Sequence, residues 1–150
     1  VTEEGSAGRV GAAAHVLGFA GLLPQAGAVA LIALGSGEPF ARLLATVYGG
    51  LILSFLGGMW WGFAMRRSER QGALAAVAVV PSLAALAIIM TGAMNGLDDK
   101  ALVALGVAIL LTLLVDRHLV ATGEAPAGWM RLRVPLSIGL GSLTILAGLL

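Results

Sequence analysis

Five apolar runs, each about as long as a bilayer is thick, fill almost the whole of this chain. They cover about residues 12–34, 40–65, 72–91, 98–116 and 130–150. A helix needs roughly 20 such residues to cross about 30 Å of hydrocarbon. The separators are short and carry turn and charge signals. They are Gly35-Ser36-Gly37-Glu38-Pro39, Arg66-Arg67-Ser68-Glu69-Arg70, Asn95-Gly96-Leu97-Asp98-Asp99-Lys100, and a small-residue stretch from Ala121 to Gly128. Asn-Gly marks a turn. Asp98 and Asp99 suit the positive end of the helix that follows. The expected fold is all-α, an integral membrane bundle of about five transmembrane helices forming one domain over residues 1–150.

Composition supports lipid as the solvent. Charged residues make up 11% of the chain and hydrophobic ones 59%, against about 25% charged in a soluble domain. Mean hydropathy is +0.98, so too little polar surface exists to cover a water-soluble globule. The 22 glycines would be costly in soluble helices, but in a membrane they let helices approach closely. Cysteine is absent, which excludes disulfides, thiolate metal sites and a cysteine nucleophile. A net charge of +1 offers no basic stripe for nucleic acid.

Orientation follows from Lys and Arg. The segment up to about Gly11 holds Glu3, Glu4 and Arg9. Its acidic start and the long apolar run behind it do not fit a secretory signal. With the N-terminus cytoplasmic, Arg9, Arg66, Arg67, Arg70, Arg117, Arg131 and Arg133 lie inside, and only Arg42 and Lys100 lie outside. Trp60, Trp61 and Trp129 fall near the same inner boundary, where indole rings prefer to sit. The C-terminus is then outside. The expected location is the cell inner membrane, or the mitochondrial inner membrane in a eukaryote.

A few residues stand out against the apolar background. Pro24 and Pro81 sit near mid-bilayer, each followed by a polar group, Gln25 and Ser82. A proline removes one N–H and frees a carbonyl about a turn earlier, so the pair reads as two kinks or as broken helices around a midplane site. The strings Pro24–Ile32 and Pro81–Ile89 resemble each other, as a repeat would or as an Ala/Leu/Ile-rich background would. Ser54, Gly58 and Gly62 recur every fourth residue. That row reads as a packing face inside the bundle, a homodimer seam or one wall of a ligand cleft. His15, one turn into the first run, is an intramembrane ionisable group. Neither it nor His118 has further ligands of metal-binding spacing, so no metal or haem is expected. Asp116, at the inner end of the fourth run, is expected to pair with Arg131 or Arg133 and so tie the fourth helix to the fifth.

The stretch Tyr48-Gly49-Gly50-Leu51-Ile52-Leu53-Ser54-Phe55-Leu56-Gly57-Gly58, with Trp61-Gly62 behind it, resembles the signature of the small membrane proteins grouped as domain of unknown function 3429. That group includes the eukaryotic transmembrane protein 69. Leu17–Pro24, Val80–Leu83, Asp116-Arg117 and Trp129–Leu136 are similar to the same family, in the same order. Relatives carry His or Arg where this chain has Trp60, so the resemblance transfers no polar role to that position. It implies a multi-spanning membrane protein with no established activity and no catalytic residue.

No serine–histidine–acid order, phosphate loop or pair of mid-membrane carboxylates accompanies these residues, so neither an enzyme nor a cofactor is expected. The leading expectation is an accessory bundle that binds lipid or another membrane protein, or assembles with a second copy. The alternative is a transporter or channel for a small solute or protons. Its site would draw on His15, Pro24, Gln25, Tyr48, Ser54, Trp61, Pro81 and Ser82.

Overall fold

The computed structural model describes residues 11–96, 99–126 and 128–150. Glu3, Glu4, Arg9, Leu97 and Asp98, used above for orientation and helix starts, lie outside the described residues. Among the described residues six helices follow one another: α1 Ala12–Ala20, α2 Leu23–Ala33, α3 Glu38–Ala64, α4 Gln71–Met94, α5 Asp99–Ala121 and α6 Trp129–Ala147. No strand occurs among the described residues. Together α1 and α2 make one crossing of 22 residues, so five spans are long and apolar enough to cross a membrane. Large apolar side chains such as Leu17, Phe55, Leu83, Leu111 and Ile138 face outward. In water this surface would be untenable, whereas in lipid it is solvated. The chain is an all-α, multi-pass membrane protein.

The first run is one span broken into two helices, the second of the two readings that Pro24 left open. Pro24 lacks an N–H, so the carbonyl four residues earlier, on Ala20, has no helical partner. The helix closes there instead: the Gly21 N–H bonds the Leu17 and Gly18 carbonyls, both at 3.1 Å. Pro24 then occupies the first turn of α2, where a missing N–H costs nothing. Tyr48 of α3 donates its hydroxyl to the Gly21 carbonyl at 2.5 Å, which satisfies a group the break would leave bare in hydrocarbon. Pro81, by contrast, lies inside an unbroken α4. The two proline strings therefore occupy different structural positions, one at a helix start and one inside a helix.

The central helix α3 packs on α2, α4, α5 and α6, and the other extensive contact joins α5 to α6. Lipid tails are as apolar as leucine, so hydrophobicity does not drive these contacts; close backbone approach does. A Cβ on Gly57 would stand 2.4 Å from the Ala78 carbonyl and 3.3 Å from Pro81. A Cβ on Gly106 of α5 would stand 2.6 Å from the Gly141 carbonyl of α6. The buried row on α3 is therefore Gly50, Gly57 and Ala64. This corrects the expected in-bundle packing face. Gly58 and Gly62 are exposed, and a Cβ on either meets nothing within 4 Å. One residue is about 100° of rotation, enough to carry Gly58 and Gly62 off the contact, while Ser54 of the same row still meets Ser82 of α4.

Ion pairs tie the two ends of the bundle. At one end Arg42 bonds Glu38 one turn earlier, at 3.0 and 3.1 Å, and reaches Asp99 at the start of α5. At the other, Arg67 grips Glu124 through Nε at 2.6 Å and through Nη2, joining the loop after α3 to the loop after α5. Hydrogen bonding to Arg67 holds the Glu124 carboxyl below the usual carboxylate range, and bonding to Glu124 raises the Arg67 guanidinium.

Candidate functional site

The last helix carries the site. Trp129, Arg133, Ser137 and Leu140 follow at spacings of four and three on α6, so they share one face. Asp116 faces them from α5 and is 0% exposed. The sequence suggested that the fourth span closes at Asp116, but α5 continues to Ala121. The carboxylate therefore sits inside the span.

Both carboxylate oxygens of Asp116 are occupied. Oδ2 accepts from Arg133 Nε at 2.8 Å, and Arg133 Nη2 stands 2.7 Å away as the ion-pair contact. Oδ1 accepts from the indole N–H of Trp60 at 3.0 Å and that of Trp129 at 3.2 Å. Arg133 Nη2 also donates to Thr112 Oγ1 at 3.2 Å, and Thr112 donates in turn to the Ile109 carbonyl at 2.6 Å. A buried ion pair is tolerable only when its remaining lone pairs and protons are met, and here three hydrogen-bond donors converge on one carboxylate. Phe63 stacks edge-on against Trp129, with ring centroids 5.6 Å apart, and holds that indole in place. Arg131, two residues before Arg133, is exposed and is not among the partners of Asp116. Trp60 does have a polar role, as an indole donor.

Beside this network lies a cleft of about 400 Å³. Its walls are apolar: Leu17 and Gly18 of α1, Ile52, Phe55 and Leu56 of α3, Ile109 of α5, and Leu132, Leu136 and Leu140 of α6. Its polar side chains all come from α6, namely Trp129, Arg133 and Ser137. Ser137 is 2% exposed, and its Oγ meets no hydrogen-bond partner among the described residues. Gln25, 0% exposed, is the other case, with both amide atoms unpartnered.

The residues singled out from the sequence do not form one site. Ser54 and Ser82 bond each other at 2.8 Å across α3 and α4, and Pro81 packs on Gly57. Tyr48 closes the α1–α2 break near Pro24 and Gln25. Trp61 faces outward. His15 Nδ1 lies 3.1 Å from the Gly11 carbonyl. No group of three or more metal-ligating side chains forms among the described residues. Ser137, Thr112 and the two indole donors were missed in the sequence. Their spacing from Arg133 and Asp116 was the available signal: Ser137 is one turn beyond Arg133, and Thr112 one turn before Asp116.

Neither a curated protein nor a solved structure matches the chain. A family profile described as "Protein of unknown function (DUF3429)" matches residues 10–149. With nearly every residue inside that match, the chain belongs to the DUF3429 family.

Proposed function

We propose that this protein is a non-enzymatic accessory bundle that holds a lipid-like guest in the cleft between α1, α3 and α6. One observation carries the reading: a cleft of about 400 Å³, walled by apolar side chains, with its few polar groups at one end and along one wall. Small-molecule pockets run from roughly 300 to 1,000 Å³ and combine apolar walls with a few placed polar groups. The proposal places the bundle in the cell inner membrane, N-terminus cytoplasmic, on the positive-inside asymmetry. The cleft then opens at the cytoplasmic leaflet.

A second reading, a carrier for a small solute or protons, is favoured by Gln25, a buried amide beside a broken helix. Against it, Ser54 and Ser82 satisfy each other, and Pro24 and Pro81 belong to helices that each pack on α3 rather than extensively on each other.

The test is native mass spectrometry of the full chain released from a mild detergent. The expected spectrum shows one lipid retained per chain. Ala14→Phe, at an exposed position lining the cleft, is expected to abolish that retention. Equal retention by the variant overturns the reading. Solute-driven currents or proton flux in liposomes would instead support the carrier.

A further inference from the structure

Resting on the cleft reading above, we infer that the guest is a neutral lipid bearing a carbonyl oxygen, and that Ser137 Oγ donates to that oxygen. Four observations converge on this chemistry.

The first is the orphaned hydroxyl. A serine inside a helix ordinarily donates to the carbonyl one turn back. Ser137 makes no such bond, although it is 2% exposed and lines the cleft. A buried hydroxyl without a partner is costly, and an acceptor on the guest would satisfy it.

The second is the sign of the polar lining. Arg133 carries donors only, and so does the Trp129 indole. The one carboxylate nearby, Asp116, is fully buried, and both its oxygens are already held by Trp60, Trp129 and Arg133. The Gly21 carbonyl, also on the cleft, already accepts from Tyr48. A guest hydroxyl would find only Ser137 Oγ itself and the second lone pair of the Gly21 carbonyl as acceptors, in a lining otherwise made of donors. A carbonyl brings only lone pairs.

The third is charge. Asp116 and Arg133 cancel within the network. A guest carboxylate would add an uncompensated charge in a low-dielectric slot, so the match is a neutral carbonyl.

The fourth is depth. Ser137 lies eight residues beyond Trp129 on α6, about 12 Å along the helix. A polar atom at that depth, with apolar walls on both sides, suits a carbonyl carried on a long chain. A neutral acyl ester and a long-chain quinone both offer that group.

The experiment uses the full chain in detergent and four photoreactive probes of matched chain length. They are a fatty acid methyl ester, a prenylated benzoquinone, the free fatty acid and the corresponding alkyl ether. Labelling of α1 and α6 peptides is quantified by mass spectrometry. The ester, the quinone or both are expected to label more than the acid and the ether, and the stronger of the two identifies the source. Ser137→Ala removes the hydroxyl and little volume. It is expected to cut carbonyl-probe labelling about five-fold, the worth of one hydrogen bond, and to leave ether labelling unchanged. Ala14→Phe should abolish labelling by every probe.

Preference for the free acid, or equal labelling by ester and ether that Ser137→Ala does not change, overturns the carbonyl assignment and leaves the cleft reading standing. No labelling of α1 or α6 by any probe overturns both. Ser137→Thr keeps a hydroxyl and is expected to retain carbonyl-probe labelling, which separates loss of the bond from loss of the fold.

Discussion

Replacing Asp116 by Asn keeps the side chain's shape and removes its charge. The carboxylate is 0% exposed, pairs with Arg133 and takes one hydrogen bond each from Arg133 Nε, Trp60 and Trp129. An amide has one oxygen, and its NH₂ would turn two more donors toward donors already in place. Arg133, 5% exposed, would keep its charge with no counterion. Breaking a buried pair in this way costs about 3–5 kcal/mol. For a chain of this size each kcal/mol moves a melting temperature by roughly 2–4 °C, so a drop on the order of 10 °C is expected. The assay is thermal unfolding in detergent followed by tryptophan fluorescence, since Trp60 and Trp129 report on the network directly. Arg133→Gln should cost a comparable amount, and the double variant clearly less than the sum of the two. Arg131→Gln should stay within about 0.5 kcal/mol, as exposed substitutions do. Additivity of Asp116→Asn and Arg133→Gln within about 0.5 kcal/mol, or equal losses for Arg131 and Arg133, would refute the network as the tie between α5 and α6.

The α3 face provides a paired test. Gly57→Leu should destabilise by at least the roughly 1–3 kcal/mol of an overpacked contact, while Gly58→Leu should leave the melting temperature unchanged, since nothing stands within 4 Å of it. Acid sensitivity follows from Glu124, whose carboxyl Arg67 holds below the usual range. A depressed folded-state value gives stability that is present above the unfolded value of about 4.3 and is lost as pH falls through the folded one. Glu124→Gln should therefore be less stable than the parent at neutral pH and converge with it in acid, by melting at a series of pH values. Fusion of a reporter active only in the cytoplasm should give signal at the N-terminus and none at Leu150, and the reverse would invert the proposed orientation. In hydrogen exchange, α1 amides should be the least protected of the spanning segments, because α1 buries no residue; protection equal to that of α5 would count against it.

The spans were legible because a lipid-length apolar run has few alternatives in water or in membrane. Helix rotation was not. The Ser54, Gly58 and Gly62 row is a true i, i+4 stripe, but a stripe does not say which neighbour it meets; the contact went to Gly57, one residue away. Pro24 announced a discontinuity, yet its place at a helix start rather than mid-helix depends on the Gly21 turn and on Tyr48 arriving from α3. Asp116 stood out because a charge beside an apolar run needs a partner. The choice of Arg133 over Arg131 is a matter of face, since Arg133 shares its side of α6 with Ser137 and Leu140, all buried. Trp60 read as an interface anchor, and nothing local revealed that its N–H is spent on Asp116. The cleft was not legible, because it is a relation between α1 and α6, which lie at opposite ends of the chain.

A bundle in lipid cannot rely on hydrophobic collapse, so its polar contacts show where it is fastened. Arg42 fastens α3 to α5 at one end, and Ser54–Ser82 fastens α3 to α4 in the interior. The Asp116 network fastens α3, α5 and α6, and Arg67–Glu124 closes the far loops. The α1–α2 crossing is held by Tyr48 at Gly21, the point where α1 ends. Beyond that point α1 rests on α6 through Gly18 against Leu136 and Leu132, all contacts with flexible side-chain ends. Every other wall of the cleft is fixed by hydrogen bonds or backbone-close packing, whereas α1 contributes no buried side chain. Of the helices that border the cleft, α1 is thus the one the bundle restrains least.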